Sequence, residues 1–206
     1  MIERFLPQFL PQFLAGMAVN FEIAALALLV GLALGLLLAW ARIAGRVSGA
    51  LAASVIGLLR AAPTFVVMFF LLNAIPRDAA FLGVPLAPGG MMAVALSLVP
   101  YSAAYVADAG VAAVLQLRAG SHLGALLFLP NVTRAFFVLV MSSGAGAAIG
   151  VREGISVILQ QADQLPTLGE RLYLFAFGVA MFGIPLQIGF ALIRALQRYL
   201  SRVMIR

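Results

Sequence analysis

GLLRAAPTFVVMFF, residues 57 to 70, places Arg60 and Pro63 inside an otherwise apolar run. A permanent charge and a missing backbone donor are both costly in a helix that meets lipid, so this stretch either breaks a membrane span or marks its end. The proline ring clashes with the carbonyl four residues back, at Leu59, and frees carbonyls to accept from the Arg60 guanidinium or from water. In the competing reading Arg60 is the cytoplasmic end of a shorter span starting near Ala61, and Val47 to Leu59 is an interfacial helix. Sequence leaves both open, and both make this a membrane chain.

The composition agrees. The 206 residues are 64% hydrophobic and 10% charged, with a mean hydropathy of +1.12, more apolar surface than one soluble core of this size buries. The expected class is all-α and polytopic, a single transmembrane domain over residues 1–206. The net charge of +6 comes from arginine alone, since the chain has no lysine. Without cysteine there are no disulfides or thiolate sites, and the single histidine, His122, builds no cluster. No HExxH, P-loop or paired carboxylates on one helix face occur, and the serines of MSSGAG lack a nucleophile-elbow context. No enzyme activity and no cofactor or metal site is therefore expected, and nucleotide energy would have to come from another chain.

Runs of about 20 apolar residues give five spans, near 18–41, 47–75, 91–117, 135–151 and 172–193. The repeat FLPQFLPQFL, with Glu3 and Arg4 ahead of it, argues against a cleaved signal peptide and for an interfacial segment over residues 1–17. Arg42, Arg46, Arg118, Arg134, Arg194, Arg198, Arg202 and Arg206 fall on one side of this topology with no acid among them. Arg4, Arg77, Arg152 and Arg171 fall on the other, mixed with Glu3, Asp78, Glu153, Asp163 and Glu170. The positive-inside rule then puts the N-terminus outside, the C-terminus in the cytoplasm and the 118–134 loop on the cytoplasmic face. IRALQRYLSRVMIR, directly after a span, reads as a basic helix end at an anionic leaflet and not as a nucleic-acid site.

Polar groups in the spans need partners. Glu22 lies about one turn inside the first span and can snorkel. Asp108 lies deeper, with Tyr105 three residues before it on the same helical face; internal packing and a place on a transport path are both open for it. Gly31 and Gly35, and the small residues of SSGAGAAIG with Gly146 and Gly150, mark faces that pack against helices.

In order along the chain these features resemble the permease subunit of polar amino acid ABC importers, the type I membrane domain of histidine, glutamine and arginine uptake systems. FLAGMAVNFEIAALALLVGLALGLLLAWARI is similar to that family's opening span, with Asn20 where threonine is usual. GLLRAAPTFVVMFFLLNAIP carries the family's arginine and prolines at Arg60, Pro63 and Pro76. AYVADAGVAAV has Asp108 where glutamate is usual and Val111 where arginine is expected. LPNVTRAF supplies Leu129, Pro130 and Arg134, and GISVI resembles the end of the fourth family motif.

The resemblance implies a multi-pass protein of the bacterial inner (plasma) membrane. It would work with a second permease chain, a cytoplasmic ABC ATPase and a periplasmic solute-binding protein to move an amino acid or similar small polar solute. On this basis Arg60, Pro63, Tyr105 and Asp108 are candidates for the translocation path. Gly120, Ser121, His122, Gly124, Pro130 and Arg134 are candidates for an ATPase-coupling loop. That loop departs from the family: LRAGSHLGALLFLP lacks its glutamate-alanine-alanine stretch and is shorter, and the lysine near the fourth motif is absent unless Arg152 replaces it. A second reading follows, a degenerate subunit that stabilises a partner permease without transporting.

Overall fold

The computed structural model describes residues 2–81, 83–85 and 87–204, and these are overwhelmingly helical. Helix α1 spans Ile2–Ala44, α2 Arg46–Ala61 and α3 Thr64–Ala74. A short antiparallel hairpin of β1 (Ala80–Phe81) and β2 (Val84–Pro85) follows, with Ala80 opposite Pro85. Then come α4 (Gly90–Arg118), α5 (His122–Leu126), α6 (Phe128–Ser142), a 3-10 helix (Ser143–Ile149), α7 (Gly154–Asp163) and α8 (Leu168–Met204). Among the described residues four segments are long and apolar enough to cross a membrane, and the bent pair α2–α3 makes a fifth if it counts as one span.

α1 runs without a break through the boundary placed at residue 18 and, at about 1.5 Å per residue, is roughly 65 Å long. Pro7 and Pro11 lie inside it. The four-residue repeat puts them on an exposed face and turns Phe9 and Phe13 inward. There, with Met17, they bury against Val157, Ile158 and Ala162 of α7 and Leu174 of α8. This aromatic packing offsets the amide donors the prolines remove, which is why a segment expected at the interface continues as helix.

The same buried face continues along α1 through Asn20, Ile23, Ala24, Ala27, Gly31, Gly35 and Ala39, a helical period that carries the chain onto α4. A Cβ at Gly31 would collide with Ser102, one at Gly35 would meet Ala103 and Val106, and Gly110 of α4 sits on Ala39. Residue numbers rise together on both helices, so α1 and α4 run parallel, and the glycines let their backbones approach as the small-residue pattern predicts.

Two parallel neighbours need a return path, which α2 and α3 supply. They are bent by 89°: Ala62 and Pro63 are extended (ψ 115° and 119°), the conformation that proline imposes on itself and on the residue before it. Met68 of α3 packs with Val94, Ala95 and Leu98 of α4, and Leu72 and Asn73 share a cleft with Gly89 and Gly90, so α3 runs antiparallel along the first half of α4. α2, nearly at right angles to α3, crosses α4 instead, with Ile56 against Ala104 and Ala107. The expected span 47–75 is thus a crossing helix followed by a short upright one.

The remaining differences lie at helix ends. The 118–134 interval holds α5 and the start of α6, the fourth span closes in 3-10 turns, and α8 extends both ways beyond 172–193. Its start is fixed by a reciprocal capping box: Thr167 Oγ1 accepts from Glu170 N at 3.3 Å, and Glu170 Oε2 accepts from Thr167 N at 3.3 Å.

Candidate functional site

The two charges that sequence treats separately meet in space. Arg60, near the end of α2, donates from Nη2 to Asp108 Oδ2 of α4 in an ion pair across 48 positions of sequence. The sequence offered the guanidinium freed carbonyls or water; the Leu59 carbonyl accepts from Ala62 N at 3.4 Å. Asp108, for which the sequence named no partner, pairs with Arg60, and its helical neighbour Tyr105 lies tilted against Tyr101, with ring centroids 6.1 Å apart. The physical reason is the 89° bend, which carries the end of α2 across α4 beside Asp108.

Both charged side chains stay open, 61% exposed for Arg60 and 46% for Asp108. Tyr101, Tyr105 and Asp108 recur at four and three residues, so they share one side of α4 and give it a polar, aromatic stripe beside Arg60. A charged stripe on a spanning helix is too costly to leave against lipid and must meet protein or water. Pro63 stands at the bend as the residue that caps α3.

The other candidate residues follow the C-terminal end of α4. Gly120, with φ of +79°, closes that helix; its amide donates to Leu117 O at 3.0 Å and that of Ser121 to Gln116 O at 2.9 Å. Such a left-handed cap suits glycine, which has no Cβ to clash. Ser121 Oγ caps α5 by accepting from Gly124 N at 3.1 Å, and Gly124 lies against the Gln116 side chain. His122 and Arg134 are exposed, and Pro130 is buried in α6. Gly120, Ser121, His122 and Gly124 lie in a tight turn, while Pro130 and Arg134 lie further on in α6.

Sequence reasoning missed a third polar group. Asn20, Ser143 and Glu153 are fully buried at the junction of α1, the 3-10 helix and α7. Asn20 Nδ2 donates to Ser143 Oγ and to Glu153 Oε2, both at 2.8 Å, and Asn20 Oδ1 accepts from Gly154 N at 2.9 Å. Glu153 caps α7: Ile155 N donates to Oε2 at 2.9 Å and Ser156 N to Oε1 at 2.8 Å. Burial pushes the Glu153 carboxyl above its ordinary value, while the hydrogen bonds from Ile155, Asn20 and Ser156 pull it back down. The available signals were an asparagine on the apolar face of the first span and the capping spacing of Glu153 before Ser156. Glu153 had been read only as one of several outside charges.

A bent return span, a parallel α1–α4 pair and a polar seam between α2 and α4 define a polytopic helical membrane fold. The chain is similar, at 18% identity with a TM-score of 0.70, to a solved structure described as an amino acid ABC transporter with histidines. The likeness covers 94% of this chain and 96% of that one. No protein-family model and no curated protein matches the sequence.

Proposed function

We propose that the chain is the transmembrane permease subunit of an ABC importer, translocating an amino acid or similar small polar solute across the bacterial inner membrane. The observation that carries this reading is the likeness in fold, over nearly the whole of both chains, to a structure described as an amino acid ABC transporter. The chain itself hydrolyses nothing. It works with a second permease chain, a cytoplasmic ABC ATPase and a periplasmic solute-binding protein. The arginine distribution supports an N-terminus outside and a C-terminus in the cytoplasm.

In this reading Arg60, Pro63, Tyr105 and Asp108 line the path. The ion pair ties the bent return span to α4, so any movement of α2 against α4 must carry the pair or break it. The segment holding Gly120, Ser121, His122, Gly124, Pro130 and Arg134 faces the ATPase. Uptake by the reconstituted complex tests the path: Asp108→Asn should assemble normally and transport poorly, and unchanged uptake would remove Asp108 from it. Crosslinking from Ser121→Cys tests the turn, which should capture the ATPase.

The second reading, a non-transporting subunit that stabilises its partner, is favoured by the shortness of that turn. α4 ends at Arg118, the next candidate span begins at Gly124, and α5 has five residues. Under it, ATPase activity of the complex responds to a loaded binding protein through the partner permease alone, and Ser121→Cys never reaches the ATPase.

A further inference from the structure

Between Leu174 and Ile193, α8 carries a single polar side chain, Gln187. It is exposed, and among the described residues no hydrogen bond reaches its amide. At about 1.5 Å per residue it lies roughly 9 Å inside the C-terminal end of that run, farther than a glutamine side chain reaches to water. A primary amide turned to hydrocarbon leaves two donors and an acceptor unmet, so this position demands a polar partner at its own depth.

The surface around Gln187 is shaped for a helix and not for lipid chains. Ala176, Ala180, Gly183, Gln187 and Ala191 recur at helical spacing and fall within roughly 80° of the circumference. Gly178 against Ile158 and Gly189 against Phe137 hold the opposite side of α8 to α7 and α6, which turns the line of small residues outward. Val179 and Ile184, 73% and 57% exposed, flank it on its two sides. Small side chains between bulky apolar ones let a second backbone come close. Acyl chains would fill the same groove and leave the amide unpaired.

We propose that this face of α8 is the contact with a second copy of the chain, with Gln187 of each copy hydrogen-bonded to the other. A carboxamide carries donor and acceptor and is therefore complementary to itself, and a two-fold axis along the membrane normal sets equal residues at equal depth. A different chain would need both a polar group at that depth and an equally small face; a copy brings the two together. The helices cross near Gly183 at about 40°, the angle of close small-residue contacts, which adds about 11 Å to their separation at Arg194 and keeps like charges apart. The proposal takes from the transport reading only that a second chain is present. Association is measured without uptake, so the failure of one is distinguishable from the failure of the other.

The chain has no cysteine, so an introduced one is its only thiol. In membranes from cells making the full chain with its partners, oxidation should join A180C copies and Q187C copies into disulfide dimers. I188C, about 100° around the helix from the line, and R194C, beyond the crossing, should give about tenfold less. In liposomes, association read by energy transfer between labelled copies should weaken about tenfold in Q187L, while Q187N, which keeps the amide, should retain most of it. Absence of dimers from both A180C and Q187C would overturn the proposal. So would I188C dimers of equal yield, a disulfide to a different chain, or Q187L associating like wild type. Modification of Q187C by a charged, water-soluble thiol reagent without dimerisation would also overturn it, and would make this face the wall of an aqueous path.

Discussion

The polar node at Asn20 and the ion pair at Arg60 are both charged or strongly polar groups in a very apolar chain, yet they are built in opposite ways. At the node both amide hydrogens of Asn20 are donated and its oxygen accepts, while Glu153 receives three donors, all away from solvent. At the pair, one contact joins two side chains that remain about half exposed. A buried group with every partner in place locks geometry, because any displacement leaves unsatisfied atoms in a low dielectric. An exposed pair can open at little cost, since water replaces what is lost. The node thus fixes the α1–α7 junction, and the pair is suited to a seam that moves.

Removing Glu153 should show the contrast most strongly. Glu153→Ala strands the donors of Asn20, Ile155 and Ser156 and should cost roughly 3 kcal/mol or more of stability, seen as a large drop in the thermal unfolding midpoint in detergent. A drop no larger than that of Asp108→Asn would erase the distinction between the two regions.

Gly16 tests the node from the other side. A Cβ there would sit 2.8 Å from the Glu153 carbonyl carbon and 2.9 Å from Gly154 N, both backbone atoms that cannot swing aside. Gly16→Ala should cost about 2 kcal/mol by forcing α1 away from α7, whereas Gly57→Ala, with open space around it, should cost nothing measurable.

A smaller effect comes from pH. The folded-state value of Glu153 lies above the ordinary 4.5, so the folded protein holds this proton more tightly than the unfolded chain. Its stabilising contribution is complete below 4.5 and is lost as pH rises through the folded value. Wild type should therefore lose a few degrees of unfolding midpoint, relative to Glu153→Gln, as pH rises through that window. Parallel profiles for the two proteins would mean that the carboxyl does not titrate differently on folding.

Smallest in stability is the ion pair. Arg60→Gln and Asp108→Asn should each change stability by under about 1 kcal/mol, while lowering uptake by the assembled complex about tenfold or more. A stability loss matching that of Glu153→Ala, with uptake per folded complex unchanged, would make the pair a second structural node.

Much of the fold was legible because it depends on residue properties that add along the chain. Apolar runs marked the spans, Gly31 and Gly35 marked a close helix contact, and Pro63 marked a break. The Arg60–Asp108 pairing was not legible, since local helix rules connect residues three or four apart and nothing local connects residues 48 apart. Glu153 was hidden for a related reason: in a polar connection an acid looks like a solvated one, and only the folding of residues 143–156 back onto α1 shows that water is excluded from it.

The sequence by itself determined that this is a helical membrane chain, because transfer of each side chain between water and lipid is a property the residue carries with it. Which polar groups are locked and which stay open was decided by the tertiary structure. A hydrogen bond or ion pair needs two partners at one place, and the bend at Pro63 and the α1–α7 junction are what bring them there.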